Sequence, residues 1–226
     1  MSVVEPPAER LSLAVVIPAL NEALSIERVV QQLIRHALVI VVDDGSTDDT
    51  AALARSAGAL VISHQNNRGY DAALETGLRT AKELDFTFAV TMDADGQHAP
   101  SLLEDFKRLL EDGASLVVGH RDKTQRWSET VFCIVGRAVW GLNDPLCGMK
   151  GYRISILDDL EDLNTYPSVG TELSIRLIAL GVRVNQVEIK IRKRDGVSRF
   201  GGGCKANMRI CKALWIGLFR YMYRAR

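Results

Sequence analysis

The segment FTFAVTMDADGQH, residues 86–98, joins an apolar run directly to two carboxylates that stand one residue apart. The run 86–92 predicts a buried strand, because short continuous apolar segments are typical of strands covered on both faces. Asp93 and Asp95 follow at its end. Two carboxylates on one turn suit a hard divalent cation whose remaining ligands include the phosphates of a substrate. Asp and Gly are also common in ordinary surface turns, but the position at a strand end favours phosphate chemistry.

Strands and helices are predicted to alternate outward from this segment. Further short apolar runs predict strands over 13–17, 39–42, 59–63 and 115–119. Helical spacing of apolar residues predicts helices over 22–36, from the 43–49 segment through 57, over 71–82 and over 100–111. This alternation implies an α/β fold with a doubly wound, mostly parallel sheet and right-handed crossovers. Ligands bind such sheets beyond the carboxyl ends of the strands, where residues 18–22, 43–44, 66–69 and 93–97 all fall.

The second half of the chain follows a looser pattern. We expect a helix over 127–140, a loop over 143–151, a helix over 168–179, a strand over 182–191, a basic glycine-rich loop over 192–203 and a helix over 207–226. No repeat or composition break separates two domains. The expected organisation is a flexible tail over 1–10, a catalytic domain over 11–203 and an amphipathic C-terminal helix within 204–226.

The composition, 47% apolar and 25% charged over 226 residues, is typical of a soluble globular protein with one sizeable core. The formal net charge is zero, yet residues 192–226 carry ten Lys or Arg against one acid, Asp195. This basic block points to an anionic partner, whether phosphate, nucleic acid or a membrane surface. Four cysteines without C-x-x-C spacing, and no secretory signal, indicate reduced cytosolic thiols. The apolar run 214–219 is far shorter than the ~20 residues that span a bilayer, so no transmembrane helix is expected.

The motif VVDDGSTDDT, residues 41–50, has a structural interpretation for only part of its length. Ser46 or Thr47 is expected to cap a helix whose first turn holds the carboxylates at 48–49. The carboxylates of Asp43 and Asp44 remain at the strand end, where such a group accepts hydrogen bonds from a nucleobase or ribose. The chain has neither a G-x-G-x-x-G fingerprint nor a P-loop, so it carries no signature of the common dinucleotide and NTPase sites.

Six segments in a fixed order resemble the family-2 glycosyltransferases. They are VVIPALNE (15–22), VVDDGSTDDT (41–50), NNRG (66–69), MDADGQH (92–98), DPLCGMK (144–150) and RDGVSR (194–199). Within that family the chain is similar to the polyprenyl-phosphate branch, typified by dolichyl-phosphate mannose synthase. The resemblance extends over most of the chain. It implies a GT-A fold, a nucleotide-sugar donor, a polyprenyl phosphate acceptor and bound Mg²⁺ or Mn²⁺.

The resemblance also implies roles for individual residues. The metal ligands would be Asp93, Asp95 and Gln97, and the catalytic groups would be Asp95, Arg121 and Arg194. The acceptor phosphate would be contacted by Arg121, Arg126 and Arg137. The sequence over 119–127 departs from the family pattern, so Arg121 and Arg126 remain alternatives for the first of these contacts. The nucleotide-sugar would be bound by Pro18, Leu20, Glu22, Asp44, Asn67, Gly69, Asp93, Ala94, Arg194, Ser198 and Arg199.

Displacement of a nucleoside diphosphate from a sugar develops negative charge on the leaving oxygens, and a cation and arginines stabilise that charge. The basic loop 192–199 fits this role, with 201–203 as a flexible lid, although an ordinary solvated loop has a similar composition. A phosphate acceptor needs no general base, whereas a hydroxyl acceptor requires one, for which Asp144 and Glu172 are the candidates. His98 either braces the metal turn or is purely structural.

The final helix is predicted to have two different faces. Its apolar face holds Met208, Cys211, Leu214, Trp215, Leu218, Phe219 and Met222. Its basic face holds Lys205, Arg209, Lys212, Arg220 and Arg224. Such a helix suits the surface of an anionic membrane. The alternative is that the apolar face packs on the core of the domain or on a twin subunit.

These observations predict a metal-dependent, inverting glycosyltransferase that moves a sugar from a UDP- or GDP-sugar to a polyprenyl phosphate. We expect it in the cytoplasm, peripheral on the cytosolic face of the membrane, with a membrane surface or membrane-embedded partner and no nucleic acid; a homo-oligomer is compatible with this. One alternative is a family-2 glycosyltransferase with a glycan hydroxyl as acceptor. Another is a receiver-like phosphorylation switch, but a receiver would take roughly half this length and leave the basic loop and final helix without a purpose.

Overall fold

The computed structural model describes residues 12–192 and 204–222 of the chain. Its strands are β1 (Leu13–Ala19), β2 (Leu38–Asp43), β3 (Leu60–Ser63), β4 (Phe88–Thr91), β5 (Leu116–Arg121), β6 (Lys150–Arg153) and β7 (Val184–Ile189). Its helices are α1 (Ile26–Leu33), α2 (Thr50–Ser56), α3 (Tyr70–Glu83), α4 (Leu102–Glu111), α5 (Trp127–Trp140), α6 (Glu172–Ala179) and α7 (Cys204–Tyr221). A short 3₁₀ turn, Ile154–Leu157, follows β6.

The strands form one mixed sheet in the order β3-β2-β1-β4-β6-β5-β7. β1 pairs in parallel with both β2 and β4, and β2 pairs in parallel with β3. β7 is parallel to β5, whereas β6 runs antiparallel between β4 and β5. The predicted α/β class with a mostly parallel sheet is therefore confirmed. Because β3, β2, β1 and β4 are parallel neighbours, their carboxyl ends open on the same edge of the sheet.

Strand β6 lies where the sequence predicted the end of a loop over 143–151, so that prediction is wrong for its last two residues. The strand reads Lys-Gly-Tyr-Arg, which has little of the composition typical of strands. It is stabilised instead by pairing on both edges. Gly151 also lets helix α4 approach, because a Cβ atom there would lie 3.1 Å from the ring of Phe106. Long-range pairing, not local propensity, determines this strand.

Strand β1 continues through Pro18 to Ala19, beyond its predicted end. Val16 accepts a hydrogen bond from the N–H of Met92 on the β4 side, and Ala19 accepts one from the N–H of Asp44 on the β2 side. Backbone groups alternate in direction along a strand, so the nitrogen of Pro18 lies on the β4 side, past the last residue that pairs with β4. The missing N–H therefore costs no hydrogen bond of the sheet.

Apolar side chains cover both faces of the sheet with the period of two expected of strands. Val15 and Ile17 of β1 face the layer formed by α1, α2 and α4. Ala14 and Val16 face the layer formed by α3, α5, α6 and α7. Within residues 12–192 and 204–222, no helix is long and apolar enough to span a lipid bilayer.

Helix α7 begins at Cys204 rather than at residue 207, and it packs along α5 and α6. The prediction that Leu214 shares a face with Trp215 and Phe219 is wrong. Leu214 is only 8% exposed, whereas Trp215 is 72% and Phe219 is 82% exposed. The residues that pack on the core are Ala206, Ile210, Ala213, Leu214, Gly217 and Tyr221. The helix thus has one apolar side that packs on the core and a second apolar side that is exposed. The domain boundary predicted at residue 204 stays a prediction. The predicted tail over 1–10 lies outside the described residues.

Two other helices begin later than their periodicity predicts. The helix predicted from residue 22 begins at Ile26, because the preceding residues form a turn in which the N–H of Ser25 donates to the carbonyl of Glu22 at 3.0 Å. The helix predicted from residue 168 begins at Glu172, because 168–170 bind another element. The helix over 127–140 has its predicted ends, and the remaining elements occur with slightly shifted ends. Periodicity does not reveal backbone groups that bind distant side chains.

Candidate active site

The loop after β1 and the loop after β2 are joined by side-chain hydrogen bonds. The N–H of Asn21 donates to Ser46 Oγ at 2.8 Å, and the N–H of Thr47 donates to Asn21 Oδ1 at 2.7 Å. The N–H of Glu22 donates to Thr50 Oγ1 at 2.7 Å. The prediction that Ser46 or Thr47 caps helix α2 is therefore wrong, because the helix begins only at Thr50 and both side chains bind the neighbouring loop. The two predicted nucleotide-binding loops form one unit.

Asp44 holds a third loop, residues 66–69, which follows β3. The carboxylate of Asp44 is almost completely buried and accepts the N–H groups of Arg68 and Gly69, both at 2.8 Å. It also lies 2.7 Å from His64 Nδ1, and His64 Nε2 lies 3.0 Å from the hydroxyl of Thr76. Asp44 therefore connects the loops after β2 and β3. Its predicted contact with a nucleobase stays a prediction.

The other predicted nucleotide-binding residues of these loops lie at the same edge of the sheet. Gly45, whose φ is 76°, allows the loops after β2 and β3 to touch, because a Cβ atom there would lie 2.8 Å from the backbone nitrogen of Asn67. Pro18 is buried in β1 and Asn67 is exposed. The half-buried members of the set are Leu20, Glu22 and Gly69. The three loops thus form one surface beside the end of β4, and this surface includes buried, half-buried and exposed residues.

The carboxylate of Asp93 is oriented by Tyr70, the first residue of α3. The Tyr70 hydroxyl donates to Asp93 Oδ1 at 3.0 Å. Burial, and then the neighbouring Asp93, raise the pKa of Tyr70 well above its usual value, so the phenol stays protonated and donates. Gly148 faces the same carboxylate, because a Cβ atom there would lie 2.3 Å from Asp93 Oδ2. Tyr70 was not among the predicted site residues, although it directly follows the NNRG segment, which was predicted to be part of the site.

Asp95 and Gln97 complete the turn after β4. Asp95 is 5% exposed, next to the buried Ala94, and its Oδ1 accepts the N–H of Gln97 at 3.0 Å. Gln97 also binds the segment after β7: its carbonyl accepts the N–H of Arg192 at 3.0 Å, and its side-chain amide donates to the Arg192 carbonyl at 3.3 Å. The role of Gln97 as a third metal ligand stays a prediction.

The chemistry of this turn fits a hard cation that binds together with its substrate. Within the described ranges, no three His, Cys, Asp or Glu side chains are arranged to hold a metal ion by themselves. Asp93 and Asp95 supply two carboxylates, and Mg²⁺ sites commonly use one or two carboxylates while phosphates and waters provide the other ligands. The neutral hydroxyl of Tyr70 orients Asp93 without removing its charge.

Residues 168–170 support Tyr70 from the other side. Asp71 accepts the N–H groups of all three of these residues, at 2.7–3.1 Å. The ammonium group of the buried Lys150 donates to the carbonyl of Gly170 at 2.7 Å, and burial lowers its pKa. The ring of Tyr70 packs directly on Gly170, where a Cβ atom would lie 2.8 Å from it. This buried network was not predicted, because nothing in the sequence marks Lys150 as buried.

Two arginines and two carboxylates form a cluster where β5 meets α5. Arg121 donates from Nε and Nη2 to the two oxygens of Asp144, at 2.6 and 3.0 Å, and its Nη1 lies 3.3 Å from Glu129. Arg126 donates to the other oxygen of Glu129 at 2.9 Å. Burial alone would lower the pKa of Arg121 and raise that of Asp144, but their mutual hydrogen bonds and charges shift both pKa values the opposite way. The four charges balance within the cluster.

The third predicted acceptor arginine lies apart from Arg126. Arg137 is exposed, and its Nε donates to Asn143 Oδ1 at 3.0 Å. Arg126 precedes α5 and Arg137 lies in its last turn, so the rise of the helix separates them by about 16 Å. In the structure the two arginines bind different residues, Glu129 and Asn143 respectively. The structure therefore brings Arg121 and Arg126 together through Glu129, and leaves Arg137 at the far end of the helix.

Both candidate general bases are engaged by other groups of the protein. The pKa of Asp144 lies below its usual value, because the charge and hydrogen bonds of Arg121 outweigh its burial. Glu172 is fully buried and accepts hydrogen bonds from the backbone of Thr165 and Tyr166 and from the hydroxyl of Tyr221, at 2.6, 3.1 and 2.8 Å. These contacts tie α6 to α7 and favour a structural role for Glu172.

Three further predicted residues, Arg194, Ser198 and Arg199, lie outside the described residues, as does the predicted lid over 201–203. His98 is 6% exposed, and its Nδ1 has no hydrogen-bond partner in the described part of the chain. The proposed bracing of the metal turn by His98 therefore stays a prediction.

The family model described as glycosyl transferase family 2 matches residues 14–129. A dolichyl-phosphate hexose transferase of Haloferax volcanii is 32% identical over 218 residues, which cover 88% of this chain and 92% of that protein. A UDP-N-acetylglucosamine–dolichyl-phosphate N-acetylglucosaminyltransferase of Methanococcus voltae is 35% identical over 49% of this chain and 52% of its own length. The chain thus spans about half the length of that relative, and 59% of another relative that is also 35% identical.

Solved structures of the same architecture include glucosyl-3-phosphoglycerate synthase from Mycobacterium tuberculosis in complex with Mg²⁺ and uridine-diphosphate. Its TM-score with this chain is 0.74 at 25% sequence identity, and the match covers 91% of this chain and 79% of that one. The predicted GT-A type of fold is confirmed by this similarity.

Proposed function

The chain belongs to glycosyl transferase family 2, and on that premise we propose that it transfers a sugar from a nucleotide-sugar to a polyprenyl phosphate. The observation that carries the proposal is the turn after β4, where Asp93 and Asp95 lie at the edge of the sheet at which the parallel strands β1, β2 and β3 end in three joined loops. The two relatives whose names specify dolichyl phosphate support the acceptor class.

The donor is a UDP- or GDP-sugar whose nucleotide lies against the joined loops. The hydrogen bonds of Asn21 with Ser46 and Thr47, and those of Asp44 with residues 68–69, hold these loops in place before the donor arrives. Loops that are already ordered lose little conformational entropy on binding, which favours affinity. The described residues that we assign to the nucleotide-sugar are Pro18, Leu20, Glu22, Asp44, Asn67, Gly69, Asp93 and Ala94.

Asp93, Asp95 and Gln97 would hold Mg²⁺ or Mn²⁺ against the diphosphate of the donor. When bound, the cation supplies Lewis-acid stabilisation of the negative charge that develops on the leaving diphosphate. Tyr70 keeps the Asp93 carboxylate in one orientation, and the buried network of Asp71 and Lys150 keeps Tyr70 in place. The solved structure with Mg²⁺ and uridine-diphosphate supports this assignment.

The acceptor attacks with an oxygen of its own phosphate. That oxygen forms a bond to the anomeric carbon, the bond between this carbon and the donor phosphate breaks, and the nucleoside diphosphate leaves with the electron pair. A single displacement of this kind inverts the configuration of the sugar. It needs no general base, because the phosphate oxygen is already ionised near neutral pH, and this agrees with the structural engagement of Asp144 and Glu172.

Arginines at the surface bind the acceptor phosphate in this proposal. Arg121 is committed to Asp144 and Glu129, so we assign it the role of holding Arg126 and the start of α5 in place. Arg126 then offers the nearer contact, and Arg137 a separate one at the far end of α5. Arg194, Ser198 and Arg199 are assigned to the donor phosphates on sequence alone. Because the proposed acceptor is a lipid, we propose that the reaction takes place at the cytosolic face of a membrane, reached directly or through a membrane-embedded partner.

The proposal is tested with the purified chain, radiolabelled UDP- and GDP-sugars and two acceptors, a polyprenyl phosphate and a glycan. We expect transfer of label to the polyprenyl phosphate with Mg²⁺ or Mn²⁺ and its loss with EDTA. The anomeric NMR coupling constants of the product, compared with those of the donor, would establish whether the configuration is inverted. Label found only on the glycan would contradict the acceptor, and undiminished transfer in EDTA would contradict the role of the cation.

A further inference from the structure

Helix α5 exposes apolar side chains on the side that faces away from the core. Trp127, Val131 and Ile134 are 62%, 41% and 65% exposed, and their spacing places them on one side of the helix. The opposite side packs into the core through Phe132, Gly136 and other buried residues. A core helix normally presents polar residues to water, so this side is unusual.

Helix α7 has a matching exposed side. Met208, Trp215 and Phe219 are 60%, 72% and 82% exposed, and their spacing of seven and then four residues again places them on one side of the helix. Its buried residues, such as Ile210 and Gly217, occupy the opposite side. The packing of α7 on the domain therefore does not account for these three apolar residues.

The two exposed sides lie next to each other. Ser128 Oγ donates to Asn207 Oδ1 at 2.6 Å near the start of both helices, and a Cβ atom on Gly217 would lie 3.5 Å from the ring of Trp140 near their ends. The helices thus run side by side in the same direction. Trp127 is the neighbour of Ser128, and Met208 is the neighbour of Asn207. The exposed apolar sides of both helices therefore border the contact between the helices. We call the six residues Trp127, Val131, Ile134, Met208, Trp215 and Phe219 the apolar platform.

Basic residues border the platform. Lys205, Arg209 and Lys212 are exposed on α7, which contains no acidic residue along its length. The single acid of α5 is Glu129, which is 3% exposed and paired with Arg121 and Arg126. A second copy that docked through the same two helices would bring the same basic residues, and α5 and α7 would offer no exposed acid to pair with them. An anionic lipid surface offers both a layer for the aromatic side chains and negative charge for the border.

We propose that the apolar platform docks the protein on the surface of an anionic lipid bilayer. The proposal rests on the proposed function for its purpose, since the acceptor is a lipid. Trp127 directly follows Arg126, so docking through the platform brings the arginine cluster to the level of the lipid headgroups, where the phosphate of a polyprenyl phosphate lies. The lipid acceptor then reaches the site without leaving the bilayer.

The test measures flotation of the full chain with phosphatidylcholine vesicles, with and without phosphatidylglycerol. We expect binding that requires phosphatidylglycerol and weakens with salt. In the Trp215→Gln/Phe219→Gln variant, vesicle affinity falls by about tenfold or more, because two aromatic side chains no longer enter the bilayer. In Lys205→Gln/Lys212→Gln it falls by about fivefold per lysine, and only with phosphatidylglycerol present. Leu180→Gln is the matched control, since Leu180 is 58% exposed at the end of α6 and outside the platform.

The proposal is overturned if the Trp215→Gln/Phe219→Gln variant binds vesicles as the native chain does, or if binding does not depend on anionic lipid. It is also overturned if this variant changes from a dimer to a monomer in light scattering while vesicle binding is unaltered. Circular dichroism checks that the variants are folded. Transfer to a short, water-soluble prenyl phosphate should survive the double substitution. Vesicle binding without any transfer in the native chain would instead refute the proposed function and leave the platform standing.

Discussion

The two charged regions of the site hold their carboxylates in different ways. At the ends of β2 and β4, Asp44 accepts backbone N–H groups and Asp93 accepts a tyrosine hydroxyl. Where β5 meets α5, Asp144 and Glu129 are held by arginine side chains. Neutral donors orient a carboxylate and leave its charge available, whereas a guanidinium orients a carboxylate and neutralises it. We call the first region the donor side and the second the arginine cluster.

This difference predicts a division of labour. Binding a cation and a diphosphate requires carboxylate charge that no guanidinium neutralises, as at Asp93, to which the hydroxyl of Tyr70 donates. A rigid contact between the sheet and α5 requires charges that are paired within the protein, and the arginine cluster provides such pairs. Substitutions on the donor side should therefore reduce activity with little change in stability, and substitutions that break the cluster should reduce stability first.

The largest effect is expected from Asp95→Ala on the donor side. Loss of one of two carboxylates weakens the cation site, and stabilisation of transition-state charge by a metal is worth several kcal/mol, so kcat/KM for transfer should fall by about 10³-fold or more. The urea midpoint should change little. Asp112→Ala, at an exposed carboxylate after α4, is the control and should transfer at the native rate. Native-like transfer by Asp95→Ala would contradict the role of the donor side in binding the cation.

The next largest effect is expected from Arg121→Met, and it should appear in stability. The substitution leaves Asp144 buried without its bidentate partner, and removal of one member of a buried pair typically costs about 3–5 kcal/mol. Urea denaturation followed by circular dichroism measures the free energy of unfolding. Arg126→Met, which leaves the Arg121–Asp144 pair intact, should cost clearly less. Equal stability of Arg121→Met and the native chain would contradict the role of the cluster as a brace.

The same pair predicts how stability depends on acid. The folded-state pKa of Asp144 is below its unfolded value, so the unfolded chain takes up this proton first as the pH falls. The stabilisation is fully present above the ordinary Asp pKa of about 3.9 and is lost as the pH falls through the lower, folded-state pKa. Urea midpoints measured down this range should fall less steeply for Asp144→Asn than for the native chain. Parallel curves would contradict the assignment of the pair.

A smaller effect is expected from Tyr70→Phe, which removes the donor to Asp93 but keeps the ring that packs on Gly170. A hydrogen bond to a charged group is worth about 1.5–3 kcal/mol, so kcat/KM should fall by roughly tenfold or more, with a weaker apparent affinity for Mn²⁺. Metal titrations of activity check this. Tyr152→Phe is the control, since Tyr152 is buried between the same sheet and helices away from the turn. Unchanged metal dependence of Tyr70→Phe would show that the hydroxyl does not orient Asp93.

The strand ends of the donor side are predictable from sequence, because each is a local pattern of an apolar run followed by acids, asparagines or glycine. The contacts that organise them are not. Ser46 and Thr47 have the sequence of a helix cap, yet they bind Asn21 because a neighbouring loop of the sheet supplies a better-placed partner. Strand β6 escapes prediction for the same reason, since its stability comes from pairing with β4 and β5.

The arginine cluster is less predictable still. The sequence places Arg121 and Arg126 near the acceptor by resemblance, but it does not reveal that Asp144 neutralises one and Glu129 bridges both. Arg121 and Asp144 are 23 residues apart along the chain, and only the fold brings them together. The helical pattern of α7 likewise does not reveal which of its apolar residues are buried, because Leu214 packs in the core whereas Trp215 is exposed.

The donor side is expected to bind a cation together with the nucleotide diphosphate. The most direct measurement is calorimetric titration of UDP and GDP into the native chain and into Asp95→Asn, each with Mn²⁺ and with EDTA. One nucleotide should bind the native chain tightly only with Mn²⁺, and Asp95→Asn should lose this metal-dependent gain. Equal affinity in Mn²⁺ and EDTA, or an Asp95→Asn titration that matches the native one, would show that Asp95 does not hold a cation against the diphosphate.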